Sequence, residues 1–416
     1  MAPPQGSDIS LNPPTVKSSG ILILALNRHK SLFRFLETTP ISWTGKKFLY
    51  TSSSLRIWYT NTFLILISTT TLPSLYFLVR PIFSTSGSLP FKNFVVFVGI
   101  LLCGIFNVWV NIAQILYGKE FVLVLNEFDD IIKTLLNQYP SCVQNKQTSN
   151  LDVLFKLFND AFLTYVILCP VGCILYKLDP LYFLLKEFYE VSENNFLEVR
   201  LLLAIRYCFI VIVCSESCRL FPLIFILFLS GLRLCYTNLK ILSSLTTRKE
   251  GVLIHKLLLL HKSTTILVRL AGKFQESVTL CLMGIGLVLS MLFNFAVVKG
   301  LGRIPLHLYW YIVSGTGMIL IVIHILMLYP YRISDVSLDL LGTWVWSASL
   351  NESYLRRRYY RKKVRAMGVV EIAGGIGENR FYVLKRSTEV KYFAIIVAYT
   401  INLLLGIPPD LLDDLR

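Results

Sequence analysis

The sequence predicts an all-α membrane protein with seven transmembrane helices. Hydrophobic residues make up 54% of the 416 residues and charged residues 16%, whereas soluble domains carry about 25% charged residues. Apolar runs long enough to cross a bilayer recur along the chain, and clusters of Lys and Arg flank them. Because so little polar surface cannot cover the chain in water, a soluble enzyme, a disordered protein and a fibrous protein are excluded.

Seven segments approach the length of about 20 mostly apolar residues that a spanning helix needs. They are residues 55–79, 94–117, 154–176, 201–234, 278–298, 308–329 and 390–405, of which the last is the shortest. The chain then divides into a cytoplasmic N-terminal segment (1–54), spans one to four (55–234), a cytoplasmic helical extension (235–277), spans five and six (278–329), cytoplasmic anchor helices with a glycine-containing link (330–389), the last span (390–407) and a short extracellular tail (408–416).

The distribution of charge predicts the orientation of the chain. The formal net charge is +16, and the heaviest basic clusters precede the first span, follow the fourth and precede the seventh. Lys and Arg accumulate in cytoplasmic loops, so we expect the N-terminus in the cytoplasm and the C-terminus outside. The loop after the third span and the C-terminal tail are acidic, which agrees with an outside position. Since the positive charge is explained by this rule, we expect no nucleic-acid partner.

Two cytoplasmic stretches have amphipathic patterns. Residues 251–273 repeat leucines at helical spacing and predict one continuous helix that runs into the fifth span. Residues 338–367 combine an aromatic and apolar face with a very basic one. This second pattern fits a cytoplasmic packing domain, and it also fits a surface helix that lies on anionic membrane lipid.

Motifs for catalysis and for cofactor binding are missing from the sequence. It contains no nucleophile elbow, zinc-protease motif or P-loop, and the glycine-rich stretch 374–377 lacks the Lys-Ser/Thr that follows in a phosphate-binding loop. Most of the nine cysteines lie in apolar runs without His partners nearby, where Cys behaves as a small hydrophobic residue. We therefore expect no enzyme, no metal site, no cofactor and no disulfide framework.

Polar side chains inside the spans indicate a ligand pocket. Ionisable residues in a membrane are costly and usually functional, and Glu216 and Arg219 are spaced to pair on one face of the fourth span. The pair fits a structural ion pair and the polar wall of a pocket equally well. The other candidates also fit ordinary contacts between helices, or the aromatic belt of a membrane interface. The candidate pocket residues are Asn107, Trp109, Asn111, Tyr165, Glu216, Arg219 and Tyr311.

The last span carries two polar residues, Thr400 and Asn402, within an apolar helix. Rings of apolar side chains can gate a pore by excluding water, so a short final helix of this kind could line the pore of an oligomer. The pattern also fits a marginal span that packs inside its own bundle.

Four stretches of the C-terminal quarter resemble the C-terminus of arthropod odorant and gustatory receptors. They are YLRRR (354–358), AMGVVEIAG (366–374), FYVLKRST (381–388) and AYTINLL (398–404). In that superfamily a basic cytoplasmic helix, a glycine-containing link and a final helix with Thr-Tyr and aliphatic residues follow one another. The number of spans and the predicted orientation also agree with the superfamily.

The resemblance implies a chemosensory receptor that acts as a ligand-gated, non-selective cation channel. A small-molecule tastant or odorant would bind in each subunit's transmembrane bundle. The implied assembly is a homotetramer, or a heterotetramer with a co-receptor, in the plasma membrane of a sensory dendrite. The last helix of each subunit would line the pore, and the implied pore residues are Ile401, Asn402, Leu405 and Gly406.

The chain departs from the gustatory pattern, which ends in Thr-Tyr, five aliphatic residues and Gln-Phe. Here Ala398 replaces the Thr, and Leu405 and Gly406 stand in place of Gln and Phe. The odorant and gustatory branches therefore both stay open.

Two other functions fit a chain with seven spans. A metabotropic receptor has its N-terminus outside, which the charge pattern opposes. A small-solute transporter commonly contains an inverted repeat and paired broken helices, which the sequence lacks.

Overall fold

The computed structural model consists of long α-helices and two short β-hairpins. It describes residues 22–34, 39–51, 68, 71–81, 91–139, 150–188, 196–247, 254–302, 306–350, 354–377 and 379–406. In chain order the elements are α1 (Ile23–Leu32), β1 (Ile41–Trp43), β2 (Phe48–Tyr50), α2 (71–81), α3 (Phe91–Gln138), α4 (Asn150–Leu175), α5 (Pro180–Phe188), α6 (Phe196–Thr247), α7 (Ile254–Gly300), α8 (Leu306–Leu350), α9 (Tyr354–Arg365), β3 (Ala373–Ile376), β4 (Asn379–Val383) and α10 (Arg386–Gly406).

The helical, multi-pass class predicted from composition is confirmed. Within the described residues, six helical segments are long and apolar enough to cross a membrane. They are Asn93–Gln138, Leu151–Glu187, Arg200–Thr246, His255–Gly300, Tyr309–Trp346 and Arg386–Gly406. The predicted first span (55–79) lies mostly outside the described residues, apart from the part that α2 contains. The predicted tail (408–416) lies wholly outside them.

Four helices are much longer than a membrane crossing. The helices α3, α6, α7 and α8 contain 48, 52, 47 and 45 residues, whereas about 20 residues cross the hydrocarbon core. Each is therefore more than twice as long as a single crossing requires. The continuous helix predicted from residues 251–273 into the fifth span is confirmed from Ile254 onward, because α7 is unbroken, and residues 251–253 lie outside the described residues. Residues 235–247, predicted as part of a separate extension, continue α6.

The N-terminal helix α1 packs against α4 and α6. The carboxylate of Asp152 accepts hydrogen bonds from the first free amides of α1, at Leu24 (3.3 Å) and Ala25 (3.0 Å), and so satisfies donors that a helix start leaves unpaired. Further along, Arg28 forms an ion pair with Asp160 at 2.7 Å. Residues that the sequence assigned to a cytoplasmic segment thus form part of the helical bundle.

The first hairpin attaches to the distal half of α3. The strands β1 and β2 are antiparallel and pair Trp43 with Phe48. The side-chain amide of Asn126 on α3 both donates to the Phe48 carbonyl (2.9 Å) and accepts from the Phe48 amide (3.1 Å). This two-way contact fixes the hairpin beside the C-terminal half of α3.

The second hairpin, β3–β4, links α9 to the last helix. Its strands pair with an irregularity between Gly374 and Gly375, and Gly377 in the turn has φ +63°. A Cβ on Gly375 would lie 2.2 Å from the Asn379 carbonyl oxygen, so this position requires glycine. The hairpin packs on α7, where Arg380 pairs with Glu276 at 2.7 Å. The glycine-rich stretch therefore forms a structured connection between the two helices.

Helix α6 lies at the centre of the bundle. Buried residues make up 61% of its most apolar window, against 11% for the corresponding window of α4–α5 and of α10. Contacts with α3, α4, α7 and α8 surround it. Residues on α6 are therefore positioned to contact several helices at once.

Candidate functional site

Helices α4 and α6 present matching stripes of aromatic and sulfur side chains to each other. Spacings of three and four residues place such side chains on one helix face, and the rings of Phe162 and Phe221 stack with centroids 5.4 Å apart. Two residues of α8 complete the group. The aromatic–thiol cluster, as we name it, comprises Phe158, Phe162, Tyr165, Cys169, Cys173, Cys214, Cys218, Phe221, Phe225, Tyr311 and Ser314.

Tyr165 links α4 to α8 at the middle of this cluster. Its hydroxyl lies 2.7 Å from the Ser314 hydroxyl, and its ring meets the Tyr311 ring edge-on with centroids 4.8 Å apart. Ser314 also donates to the Tyr311 carbonyl at 2.9 Å. Because the Tyr165 hydroxyl can donate or accept, it offers a polar anchor to a bound molecule in otherwise apolar surroundings.

The thiols form the other wall of the cluster. Cys169 lies against Cys173, Cys214 and the Tyr311 hydroxyl. Cys169, Cys173 and Cys214 are only partly buried although they lie between helices. Cys sulfur is soft and polarizable and makes favourable contacts with apolar and aromatic groups. The cluster thus presents aromatic rings, thiols and one hydroxyl pair to any molecule between α4, α6 and α8.

A small apolar cavity adjoins the cluster between α4 and α8. Its volume is about 180 Å³, below the about 300–1,000 Å³ of pockets for drug-sized ligands. The cavity shares Phe158 with the cluster, and Phe158 packs on Phe162 with centroids 4.8 Å apart. Its lining residues are Leu154, Phe155, Leu157, Phe158, Ala161, Met318, Ile321, Val322 and Ile325. This region accommodates only a compact, apolar molecule.

Of the residues predicted to line one pocket, the structure brings Tyr165 and Tyr311 together. Glu216 and Arg219 form a buried two-point ion pair instead, with distances of 2.9 and 2.5 Å. Glu216 lies two residues from both Cys214 and Cys218, so it points to roughly the opposite side of α6. The Arg219 carbonyl accepts a hydrogen bond from His29 of α1 at 2.9 Å. The pair therefore belongs to the packing of α6 near α1.

The three predicted residues of α3 have separate surroundings. Asn107 donates to the Ser217 hydroxyl of α6 at 2.6 Å, while Trp109 donates to the Ser277 hydroxyl of α7 at 3.0 Å. Asn111 is buried and one of its side-chain atoms has no partner. None of their hydrogen bonds within the described residues reaches Tyr165 or Tyr311.

Sequence reasoning missed the thiols, the phenylalanines and Ser314. The signal was present, because Phe158, Phe162, Tyr165 and Cys169 recur at spacings of four, three and four residues along α4. The same spacing recurs on α6, where the thiols come first and the aromatic rings follow. These residues are Cys214, Cys218, Phe221 and Phe225. Ser314 had no such signal, since its role comes from the contact between α4 and α8. Among the described residues, no group of three or more His, Cys, Asp or Glu side chains is arranged to hold a metal ion.

The last helix, α10, is attached along one narrow stripe. Tyr392, Ile396 and Thr400 are buried at spacings of four residues, and the Tyr392 hydroxyl donates to the Met283 carbonyl of α7 at 2.7 Å. The Thr400 hydroxyl donates to the Ile396 carbonyl within α10 at 2.7 Å. Near the start of α10, Glu389 also contacts His324 of α8 at 2.9 Å. These contacts hold the first half of α10 against α7 and α8.

Most of the remaining surface of α10 is uncovered. Leu405 is 81% exposed, and Asn402 and Gly406 are exposed as well. Ile401 is also an exposed large hydrophobic residue. The four residues that the resemblance implies for a pore therefore lie on uncovered faces of α10, and Thr400 lies on the packed face.

These features define a multi-pass helical membrane protein whose last helix is attached along one narrow stripe. No protein-family model and no curated protein matches the sequence. Solved structures do match. The insect olfactory receptor OR5 from Machilis hrabei superposes with a TM-score of 0.60 at 11% identity, covering 92% of this chain and 98% of that chain.

The same receptor in complex with eugenol superposes with a TM-score of 0.61 at 13% identity and the same coverage. At this identity the likeness shows the fold, which the chain shares over nearly its whole length. The resemblance to insect chemoreceptors, inferred from the C-terminal quarter, is thus confirmed at the level of the fold.

Proposed function

We propose that the chain is a chemosensory receptor that works as a ligand-gated, non-selective cation channel. A compact odorant or tastant binds in each subunit's bundle, and four subunits surround a pore lined by α10. The assembly is a homotetramer or a heterotetramer with a co-receptor, in the plasma membrane of a sensory neuron.

The observation that carries this proposal is the exposure of α10. A helix that contacts its own bundle along a single stripe leaves its other faces, with Asn402 and Leu405, for lipid or for other subunits. A polar Asn402 side chain is costly against lipid and is favourable beside water in a pore. The fold that the chain shares with an olfactory receptor also supports the proposed receptor function.

The proposed ligand site is the aromatic–thiol cluster together with the adjoining cavity. It combines apolar walls with one hydroxyl pair, which is the common composition of small-molecule sites. The neighbouring structure that contains eugenol supports a small, largely apolar ligand class. The orientation that we propose, with the N-terminus in the cytoplasm, rests on the basic clusters of the sequence.

The direct experiment records currents in excised outside-out patches from cells that express the chain alone. A panel of sugars, bitter compounds and volatiles is applied, with GTP replaced by a non-hydrolysable GDP analogue in the pipette. We expect ligand-evoked unitary currents that carry Na⁺ and K⁺ alike. A metabotropic receptor would evoke no current without GTP, and a transporter would give no unitary openings.

A paired substitution tests the ligand site in the same recording. Tyr165→Phe removes the hydroxyl that faces Ser314, and we expect about a tenfold loss of sensitivity to a ligand that hydrogen-bonds there, equal to about 1.4 kcal/mol. Tyr309→Phe is the control, because its hydroxyl bonds the Val297 carbonyl outside the cluster. Equal effects of both variants would contradict the assigned site. The proposal that the chain is a channel would be contradicted if no compound of the panel evoked a current and the particles in detergent contained a single subunit.

A further inference from the structure

The short helix α9 carries positive charge that no carboxylate neutralises within the part of the chain that the structure describes. None of its described Lys and Arg side chains forms an ion pair there. Arg358, Lys362 and Arg365 are exposed at spacings of four and three residues, so they share one helix face. Tyr359 beside them is 60% exposed. We name these four residues the basic face.

Helix α8 carries a matching acidic face. Asp335 and Asp339 are exposed, lie about one turn apart and form no ion pair among the described residues. Leu338 beside them is 59% exposed. Because unpaired carboxylates are costly in hydrocarbon, this face is unsuited to contact with lipid tails. We name Asp335, Leu338 and Asp339 the acidic face.

The acidic face is turned away from the segment that follows α9. Ser337 lies two residues from each aspartate and therefore points to roughly the opposite side of α8. Its hydroxyl accepts a hydrogen bond from the Val370 amide at 3.0 Å. The two charged faces thus lie on different sides of one subunit. Two complementary faces placed in this way fit a head-to-tail contact between copies, and such contacts can close into a ring.

The spacing of the charges is the same on both faces. Four residues of a helix span about 6 Å, so Arg358 and Lys362 are separated by the same rise as Asp335 and Asp339. A lipid headgroup or an acidic protein would neutralise the basic face alone and would leave the two aspartates unpaired. A second copy of the chain neutralises both faces, because each subunit supplies one of each.

We propose that the basic face of one subunit docks on the acidic face of α8 in the next subunit. The Tyr359 ring and the Leu338 side chain supply an apolar contact between the charges, and Tyr and Arg are enriched at protein interfaces. The proposal rests on the tetramer of the proposed function, and it adds a contact that closes the ring of subunits.

Two charge-reversal variants of the full chain test the contact. Arg358→Glu/Lys362→Glu alters the basic face, and Asp335→Lys/Asp339→Lys alters the acidic face. Each variant alone brings like charges together, so we expect the dissociation constant of the assembly to rise about tenfold or more. Mass photometry of the purified protein over a dilution series measures this change. When the two variants are co-expressed, opposite charges meet at every contact of an alternating ring, and we expect assemblies with equal numbers of both.

Lys262→Glu/Arg269→Glu is the matched control, because it makes the same change of charge at exposed residues of α7 and should leave the assembly intact. The proposal is overturned if the wild type is a tetramer and either face variant assembles as tightly. It is also overturned if the two variants, each monodisperse alone, form no mixed assembly. An intact tetramer of Arg358→Glu/Lys362→Glu that loses retained anionic lipid would assign the basic face to a membrane instead. Single-subunit particles of the wild type would contradict the tetramer itself, and with it the proposed channel.

Discussion

At the scale of single residues, the Glu216–Arg219 pair shows how charge is held inside an apolar bundle. Both side chains are almost fully buried, and two hydrogen bonds join them on one face of α6. Each charge is tolerated because the other neutralises it and because Nε and Nη2 of Arg219 each donate to one oxygen of the Glu216 carboxylate. The pair stabilises the bundle only as long as both partners are present.

Removing one partner is therefore expected to be more harmful than removing both. Arg219→Leu leaves the Glu216 carboxylate buried without a counter-charge, and we expect a loss of about 3–5 kcal/mol, measured as a drop in Tm and in surface expression. The double variant Glu216→Leu/Arg219→Leu is expected to recover much of this loss. Arg80→Leu is the control, because it breaks the more exposed Arg80–Glu187 pair and should cost less than about 1 kcal/mol. Equal losses for the single and double variants would contradict the account.

His29 is a second buried group whose charge state matters. Burial, the largest cause, lowers the pKa of His29 from 6.5 to about 4, although its hydrogen bond to the Arg219 carbonyl opposes this change. The unfolded chain therefore binds a proton at a higher pH than the folded chain does. Stability is fully present above pH 6.5 and is lost as the pH falls toward 4.

The pH dependence of unfolding tests this assignment. One pKa unit corresponds to about 1.4 kcal/mol, so the full shift is worth about 3 kcal/mol. We expect the Tm of the wild type to fall more steeply between pH 6.5 and 4.5 than that of His29→Gln, which keeps a donor for the Arg219 carbonyl and does not titrate. Parallel curves for the two proteins would show that His29 is not the titrating group.

The sequence predicted part of the candidate site. Tyr165 and Tyr311 were singled out as polar aromatic residues in spans, and they touch. Glu216 and Arg219 were recognised as a pair, but the direction they face depends on how α6 is rotated, which spacing alone does not determine. Asn107, Trp109 and Asn111 were grouped because they are close in sequence. Trp109 is two positions from each asparagine and faces another way, toward Ser277 of α7, whereas Asn107 bonds Ser217 of α6.

At the scale of elements, close packing between helices depends on small residues. A Cβ built on Gly104 of α3 would lie 1.8 Å from Cγ2 of Thr71 on α2. The glycine thus allows α2 to approach α3 more closely than any other residue would. Small residues at helix contacts in membranes have this effect in general.

A rescue experiment isolates this contact. Gly104→Ala creates a clash with the Thr71 methyl group, and we expect a loss of about 1–3 kcal/mol, measured as a lower Tm. Adding Thr71→Ser removes that methyl group, so the nearest remaining side-chain atom would lie 3.0 Å away, and Tm should recover. Gly99→Ala is the matched control, since a Cβ there meets nothing within 4 Å. A double variant no more stable than Gly104→Ala would contradict the assigned contact.

Hydropathy located the helices but underestimated their lengths. The predicted second span ended at residue 117, where Lys119 and Glu120 interrupt the apolar run, whereas α3 continues to Gln138. Its continuation is amphipathic and buries Phe121, Leu125 and Phe128. A hydropathy window detects contact with lipid, and it does not detect a helix that passes from the membrane into a protein core.

At the scale of the whole molecule, the pattern of spans determines the fold more strongly than residue identity does. The chain superposes on an olfactory receptor with a TM-score of 0.60 while sharing 11% of its residues. The two chains can share a bundle at such low identity because many apolar side chains fill the same interhelical space. The uncovered surface of α10 is the feature that connects this fold to the proposed pore.

The most direct test of the central claim, that α10 lines a cation pore, is the single-channel conductance of charge variants at Asn402. In a tetramer, Asn402→Asp places a ring of carboxylates at the pore and is expected to raise cation conductance, whereas Asn402→Lys is expected to lower it. Asn402→Gln, which keeps the amide, should leave conductance nearly unchanged. If the aspartate and lysine variants both reach the surface and conduct like the wild type, Asn402 does not face the ion path and the account of α10 is wrong.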